Sequence, residues 1–123
     1  MASPTVYDPL TAIDPDQYLE SGDPPTFTAG DDSYTSPAAK AGVRVVQAWV
    51  VNDDATAVLL RGWYTRSGST RVKIASISIP PTFKPRVLDW LVGMVLDASD
   101  VIEFAADTAS ALRMHVSVIA MED

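Results

Sequence analysis

An antiparallel β-sandwich, jelly-roll-like in its strand spacing, is the fold that this 123-residue sequence predicts. Three observations predict it. Short runs rich in Val, Ile, Trp and Tyr recur between clusters of Gly, Ser, Asn and Asp, at the roughly 8- to 12-residue spacing of two-sheet proteins. The last run, Leu112 to Met121, alternates apolar and polar side chains as a strand with one buried face does. Finally, six of the nine prolines fall in residues 1–39 and rule out a long helix there.

The first 39 residues also hold the excess charge. Asp8, Asp14, Asp16, Glu20, Asp23, Asp31 and Asp32 stand there with no Lys or Arg, whereas residues 40–123 carry nine acids and nine bases. The sequence therefore divides into an acidic, extended N-terminal arm (1–39) and a neutral sandwich domain (40–123) that is expected to fold on its own. Asp8-Pro9, Asp14-Pro15, Asp23-Pro24-Pro25 and Ser36-Pro37 each favour extended backbone. Composition alone fits a solvated tail. Single large apolar side chains, however, are spaced between the breaks: Tyr7, Leu10, Ile13, Tyr18, Leu19, Phe27 and Tyr34. A solvating tail has little use for four aromatics, so these seven are read as anchors that enter pockets on a neighbouring subunit.

From Ala41 the pattern turns to strands. Val43 to Val51 is β-branched and aromatic and stops at the turn cluster Asn52-Asp53-Asp54. Ala57 to Thr65 forms the next strand, and Ser67-Gly68-Ser69 closes a hairpin onto Arg71 to Ile79. That third run places Val72 and Ile74 in one phase and Ile77 and Ile79 in the other, which predicts a bulge near Ala75. In Arg86 to Leu96 the spacing of Leu88, Leu91, Val92 and Val95 fits a helix, yet strands flank it on both sides. It is read as a strand broken near Gly93, with a short helix as the alternative. Asp97 to Asp100 is a turn, and Val101 to Ala106 sets Ile102, Phe104 and Ala106 against Val101, Glu103 and Ala105. In the final run Leu112, Met114, Val116 and Val118 oppose Arg113, His115 and Ser117.

Chemistry is sparse. His115 is the one histidine and there is no cysteine, so neither a His-based triad nor a thiolate or histidine metal site can be assembled. Asp97, Asp100, Glu103 and Asp107 lie close in sequence but lack the spacing of a calcium loop. No glycine-rich phosphate loop is present, and no cofactor is expected. Trp49 and Trp63, on consecutive strands, are expected to pack across one another. Arg61, Arg66, Arg71 and Lys73, with Arg113, form a candidate basic patch that could receive the acidic arm of the next copy. A net charge of −7 with scattered bases argues against nucleic acid. The N-terminus lacks the basic start and apolar run of a signal peptide, and no stretch approaches the roughly 20 apolar residues of a membrane span. The expected class is a soluble binding or assembly protein rather than an enzyme.

The second half carries a resemblance. Val95-Leu96-Asp97-Ala98-Ser99-Asp100-Val101-Ile102, then Ala105 to Leu112 with Thr108-Ala109-Ser110, then Met114-His115-Val116-Ser117-Val118-Ile119, resembles a pattern in small structural proteins of tailed bacteriophages. Val45 to Asn52, with its turn and the strand after it, looks like the first hairpin of such proteins. The resemblance spans about residues 43–120 and rests on turn and packing signals. It implies a β-sandwich virion component, assembled in the host cytoplasm and arranged in symmetric copies. The expected role is a capsid decoration (cement) protein bound to the major capsid protein or other virion proteins, with a trimer as one expected order. A neck, collar or tail-fibre attachment component is the alternative within that class, and a receptor- or carbohydrate-binding module the alternative outside it.

Overall fold

Leu112, Met114, Val116 and Val118 are all fully buried, and the strand that carries them, Leu112–Ala120, is the centre of one of two packed sheets. The computed structural model describes residues 9–38, 41–81 and 84–121. Nine strands and no helix occur among them: β1 (Leu10–Ile13), β2 (Ser33–Thr35), β3 (Val43–Asn52), β4 (Val58–Thr65), β5 (Val72–Ile79), β6 (Arg86–Val87), β7 (Val95–Leu96), β8 (Val101–Ala106) and β9 (Leu112–Ala120). The first sheet runs β1-β9-β3-β6, with β7 also on β3, and the second runs β2-β8-β4-β5. Every pairing between these strands is antiparallel. The two sheets pack against each other as a β-sandwich. Between them lie Val45, Val50, Leu60, Ile102, Phe104, Leu112 and Met114.

The predicted strand phases come through with local corrections. On β5 the pairing with β4 steps from Gly62↔Ala75 to Trp63↔Lys73, so Ile74 is the extra residue, beside the expected Ala75. Strands β3 and β4 are consecutive but do not pair. The Asn52 turn carries the chain from one sheet to the other, and the Asn52 side-chain amide donates to the carbonyls of Thr56 and Ile79 (3.0 and 2.8 Å), holding that corner. Trp49 and Trp63 therefore lie in different sheets: Trp49 stacks on His115 (centroids 5.3 Å apart), and Trp63 meets Phe27.

The 86–96 segment is a strand interrupted by one turn. Both its ends pair with β3, while Leu91 N–H and Val92 N–H donate to the Leu88 carbonyl in between. That single turn buries Leu88 and Leu91, the i and i+3 positions, and turns Val92 and Val95 outward. Gly93, at φ +94°, returns the chain to β3 by donating to the Val45 carbonyl (2.8 Å).

The arm departs furthest from expectation. Strand β1 adds to the edge of β9 and β2 to the edge of β8, and Ala12, Ile13 and Leu19 enter the chain's own core. The arm is extended and proline-rich, as its sequence requires, but its described part is built into both sheets. The division at residue 39 is one of charge and not of folding. After β2 the chain crosses to β3 through Gly42, whose φ of +130° and close approach to the Leu96 carbonyl (2.6 Å from where a Cβ would stand) suit glycine alone. Gly42→Ala should cost more than about 1 kcal/mol and lower the midpoint of thermal unfolding followed by circular dichroism.

Candidate functional site

The seven arm residues read as anchors do not share a fate. Tyr7 lies outside the described residues. Ile13 and Leu19 are 0% and 1% exposed within their own chain, so they have no surface to offer a partner. This corrects their assignment as partner anchors, and the reason is plain: β1 pairs along the edge of β9 and the Leu19 amide donates to the Leu112 carbonyl, which seats both side chains in the chain's own core. Tyr34 is half-buried against the same core, and burial pushes its hydroxyl pKa up. Phe27 is half-buried edge-on to Trp63 (5.6 Å) with the Arg71 guanidinium over its face (5.3 Å). Tyr18 is partly exposed, donates to Asp53 (3.3 Å), and lies under the Arg113 guanidinium (6.0 Å). Leu10 stands exposed at the start of β1.

The basic patch receives the acidic arm, but within one chain. Asp23 sits between Lys73 (2.8 Å) and Arg61 (3.7 Å), and Arg61 also donates to the Gly22 carbonyl (3.1 Å). The Lys73 hydrogen bond holds the Asp23 carboxyl below its usual range. Arg71 turns instead to Glu103 with two hydrogen bonds (2.9 and 3.2 Å). Arg66 is exposed at the end of the β4–β5 hairpin. Residues 22–27 thus roof the outer face of the second sheet. That roof explains why Trp63, Glu103 and Ala105 are buried although the alternation of their strands points them outward.

Beneath the returning arm, Asp32 is fully buried and its carboxylate accepts from the Thr28 and Glu20 amides (2.7 and 3.4 Å). Burial outweighs those bonds and pushes its pKa up. At the other end, Asp100 accepts from the Tyr64 hydroxyl (2.6 Å) and the amides of Ser67 and Asp97 (2.9 and 3.0 Å). Burial pushes Asp100 up, but the Tyr64 and backbone hydrogen bonds prevail and hold it below the ordinary carboxylate value. The same bond drives the Tyr64 hydroxyl up to about 12. Near the arm's start, the hydrogen bond to Asp53 (2.7 Å) raises the Arg113 pKa.

These groups serve the fold. Asp100 faces Tyr64, Glu103 faces Arg71, and Asp107 accepts from the Leu59 amide (2.9 Å), so the four acids near residue 100 do not converge. Among the described residues no group of three His, Cys, Asp or Glu could hold a metal ion. His115 contacts Ser117 Oγ (2.6 Å) beside Trp49 on the outer face of the first sheet. A pocket of about 120 Å³ opens where Tyr18–Ser21 passes Ala109 and Ser110, well under the ~300–1,000 Å³ of small-molecule sites.

What the surface does offer is apolar edge. Val87, Trp90, Val92 and Val95 are 60%, 43%, 41% and 45% exposed, and all four belong to the interrupted strand at the rim of the first sheet. The sequence reading takes this segment as a strand broken near Gly93 and assigns it no buried face, because a run of Val, Leu and Trp gives no sign of which half faces out. The signal was the doubled pattern itself: a helical spacing over four positions inside a strand context marks a turn that can bury only two of them. No protein-family model, no curated protein and no solved structure matches this chain.

Proposed function

We propose that this chain is a non-enzymatic structural protein of a tailed-bacteriophage virion, a capsid decoration (cement) protein that acts as a homo-oligomer on the major capsid protein or on other virion proteins. The observation that carries the reading is the apolar rim at Val87, Trp90, Val92 and Val95. Exposed apolar side chains gathered in one short segment mark protein–protein contact. Ile13 and Leu19 of the arm hold the sandwich together and are not free to grip a partner; in this reading the rim docks on the particle. An acidic arm folded over a basic sheet face also leaves few unpaired bases there to draw in nucleic acid.

Immunogold labelling and quantitative mass spectrometry of particles from the host that makes the chain test this directly. Copies comparable in number to the capsid subunit, spread over the shell, are expected. A few copies at the neck would favour the collar or tail-attachment reading, and absence from particles would overturn the proposal. Val87→Ser/Val92→Ser should fold normally yet wash off the shell. One observation favours a second reading: exposed Trp90 stands next to exposed Asp89 in the turn, the pairing a carbohydrate-binding module uses. Glycan binding by the isolated chain, lost in Trp90→Ala, would select it.

A further inference from the structure

The four sheet edges differ in what they offer. Strands β1 and β2 are four and three residues long, and β6 and β7 are two residues each with a turn between them. Strand β5 is an eight-residue edge, and among the described residues nothing pairs with its far side. A long free edge is a template for another strand.

Two features bound its regular part. The bulge at Ile74 breaks the regular ladder at one end, and Pro80, with no amide hydrogen, stops it at the other. Ala75-Ser76-Ile77-Ser78-Ile79 is left, without a charge and with Ile77 at its midpoint. Ala75, Ile77 and Ile79 lie opposite Gly62, Leu60 and Val58 and face the core, whereas Ser76 and Ser78 are exposed on the outside.

We infer that β5 pairs antiparallel with β5 of a second copy about a two-fold axis through Ile77, joining two four-stranded sheets into one. Residues directly opposite in an antiparallel pair point to the same side of the sheet. That parity selects the register. Ala75 meets the partner's Ile79, Ile77 meets the partner's Ile77, and Ser76 meets the partner's Ser78. Apolar residues then match on the core side and hydroxyls on the outer side. Shifting the axis to Ser78 would set Pro80 in the ladder. Charge does not oppose the contact: Lys73 is held by Asp23 of its own chain (2.8 Å), and the two copies of Lys73 stand about 27 Å apart at ~3.4 Å per residue. That exceeds the ~8 Å screening length at physiological salt. This contact stands independently of the virion reading, because it is a property of the chain in solution.

Sedimentation equilibrium is expected to show a mass rising with concentration toward twice the 13.2 kDa of one chain. Ser76→Glu/Ser78→Glu sets carboxylates against each other across the axis and should leave a monomer with unchanged circular dichroism. Ser76→Glu/Ser78→Lys faces opposite charges and should dimerise again. Because the chain has no cysteine, crosslinking gives a second readout that does not depend on the charge variants folding. A mixture of Ser76→Cys and Ser78→Cys chains should oxidise to a covalent dimer, and neither alone should do so efficiently. A wild-type chain that stays monomeric at every concentration, a dimer indifferent to Ser76→Glu/Ser78→Glu, or crosslinking by each single variant but not by the mixture would overturn the inference.

Discussion

A chain that begins at Lys40 is expected to lose cooperative folding, not merely its acidic charge. Removing residues 1–39 takes β1 from the edge of β9 and β2 from the edge of β8, which opens one edge of each sheet. Ile13 and Leu19 leave the core, each a burial worth about 1.5–3 kcal/mol. The Leu112 carbonyl loses the Leu19 amide (2.8 Å), and the Phe104 amide loses the Asp32 carbonyl (2.8 Å). On the outer face Trp63 loses Phe27, and Glu103 is uncovered. Together these losses reach a large part of the ~5–15 kcal/mol that holds a typical domain. The truncated chain should show a broad, shallow thermal transition and bind a hydrophobic dye at room temperature. A sharp transition within a few degrees of the full chain would show that the sandwich stands without its arm.

That expectation reverses the one drawn from charge and proline content, and the reversal has a physical cause. Proline and acidic residues constrain the local backbone and its solvation, but they say nothing of which edge a short extended segment will find. Ile13 and Leu19 are six residues apart with Asp14-Pro15-Asp16 between them, so no period connects them; what unites them is the rim of β9, a strand about a hundred residues later in the chain. Where burial follows one strand's own period, the sequence reading holds. The alternation of β9 predicted all four of its fully buried side chains, and the phase change in β5 located its bulge to within a residue. Where a third element covers a face, it fails. Glu103 and Ala105 alternate as surface residues and are buried on the face that residues 22–27 cover. The candidate docking surfaces were hidden for the converse reason. Val87, Trp90 and Val95 have core composition, and only the short length of β6 and β7 puts them at a rim. The basic patch was legible as a receiver of acid, since the like charges of Arg71 and Lys73, two residues apart, need a partner of opposite sign, but not as a receiver within its own chain.

Replacing Asp100 should be the most costly single change at a polar side chain, at about 3 kcal/mol for Asp100→Ala, because three donors would lose their acceptor in a buried place. Asp100 binds the Tyr64 hydroxyl, the Ser67 amide at the β4–β5 hairpin and the Asp97 amide in its own turn, while its carbonyl accepts from the Ser36 amide (2.8 Å) of the arm. The carboxylate therefore ties the β4–β5 hairpin to the 97–100 turn, and the backbone carbonyl of the same residue adds the arm. Asp100→Asn should cost less than Asp100→Ala but still destabilise, since its amide can keep the two bonds at Oδ2 only by setting its nitrogen against the Ser67 amide at the Oδ1 position. The pH dependence separates charge from shape. The folded pKa of Asp100 is depressed, so its contribution is present above the unfolded value of 3.8 and is lost as pH falls through the folded one. Asp32 has the opposite sign: its pKa is raised, so its contribution is present below 3.8 and lost as pH rises through the folded value. Asp32 is common to both chains, and the stability gap between wild type and Asp100→Asn cancels it. Urea titrations across the acid range should show that gap constant near neutrality and closing as the solution becomes acid. In the alkaline range Tyr64, pushed up to about 12 chiefly by its bond to Asp100, should titrate lower in the variant by tyrosinate absorbance. A stability gap independent of pH, with Tyr64 titrating unchanged, would mean that Asp100 fills space in this corner and that its charge holds nothing.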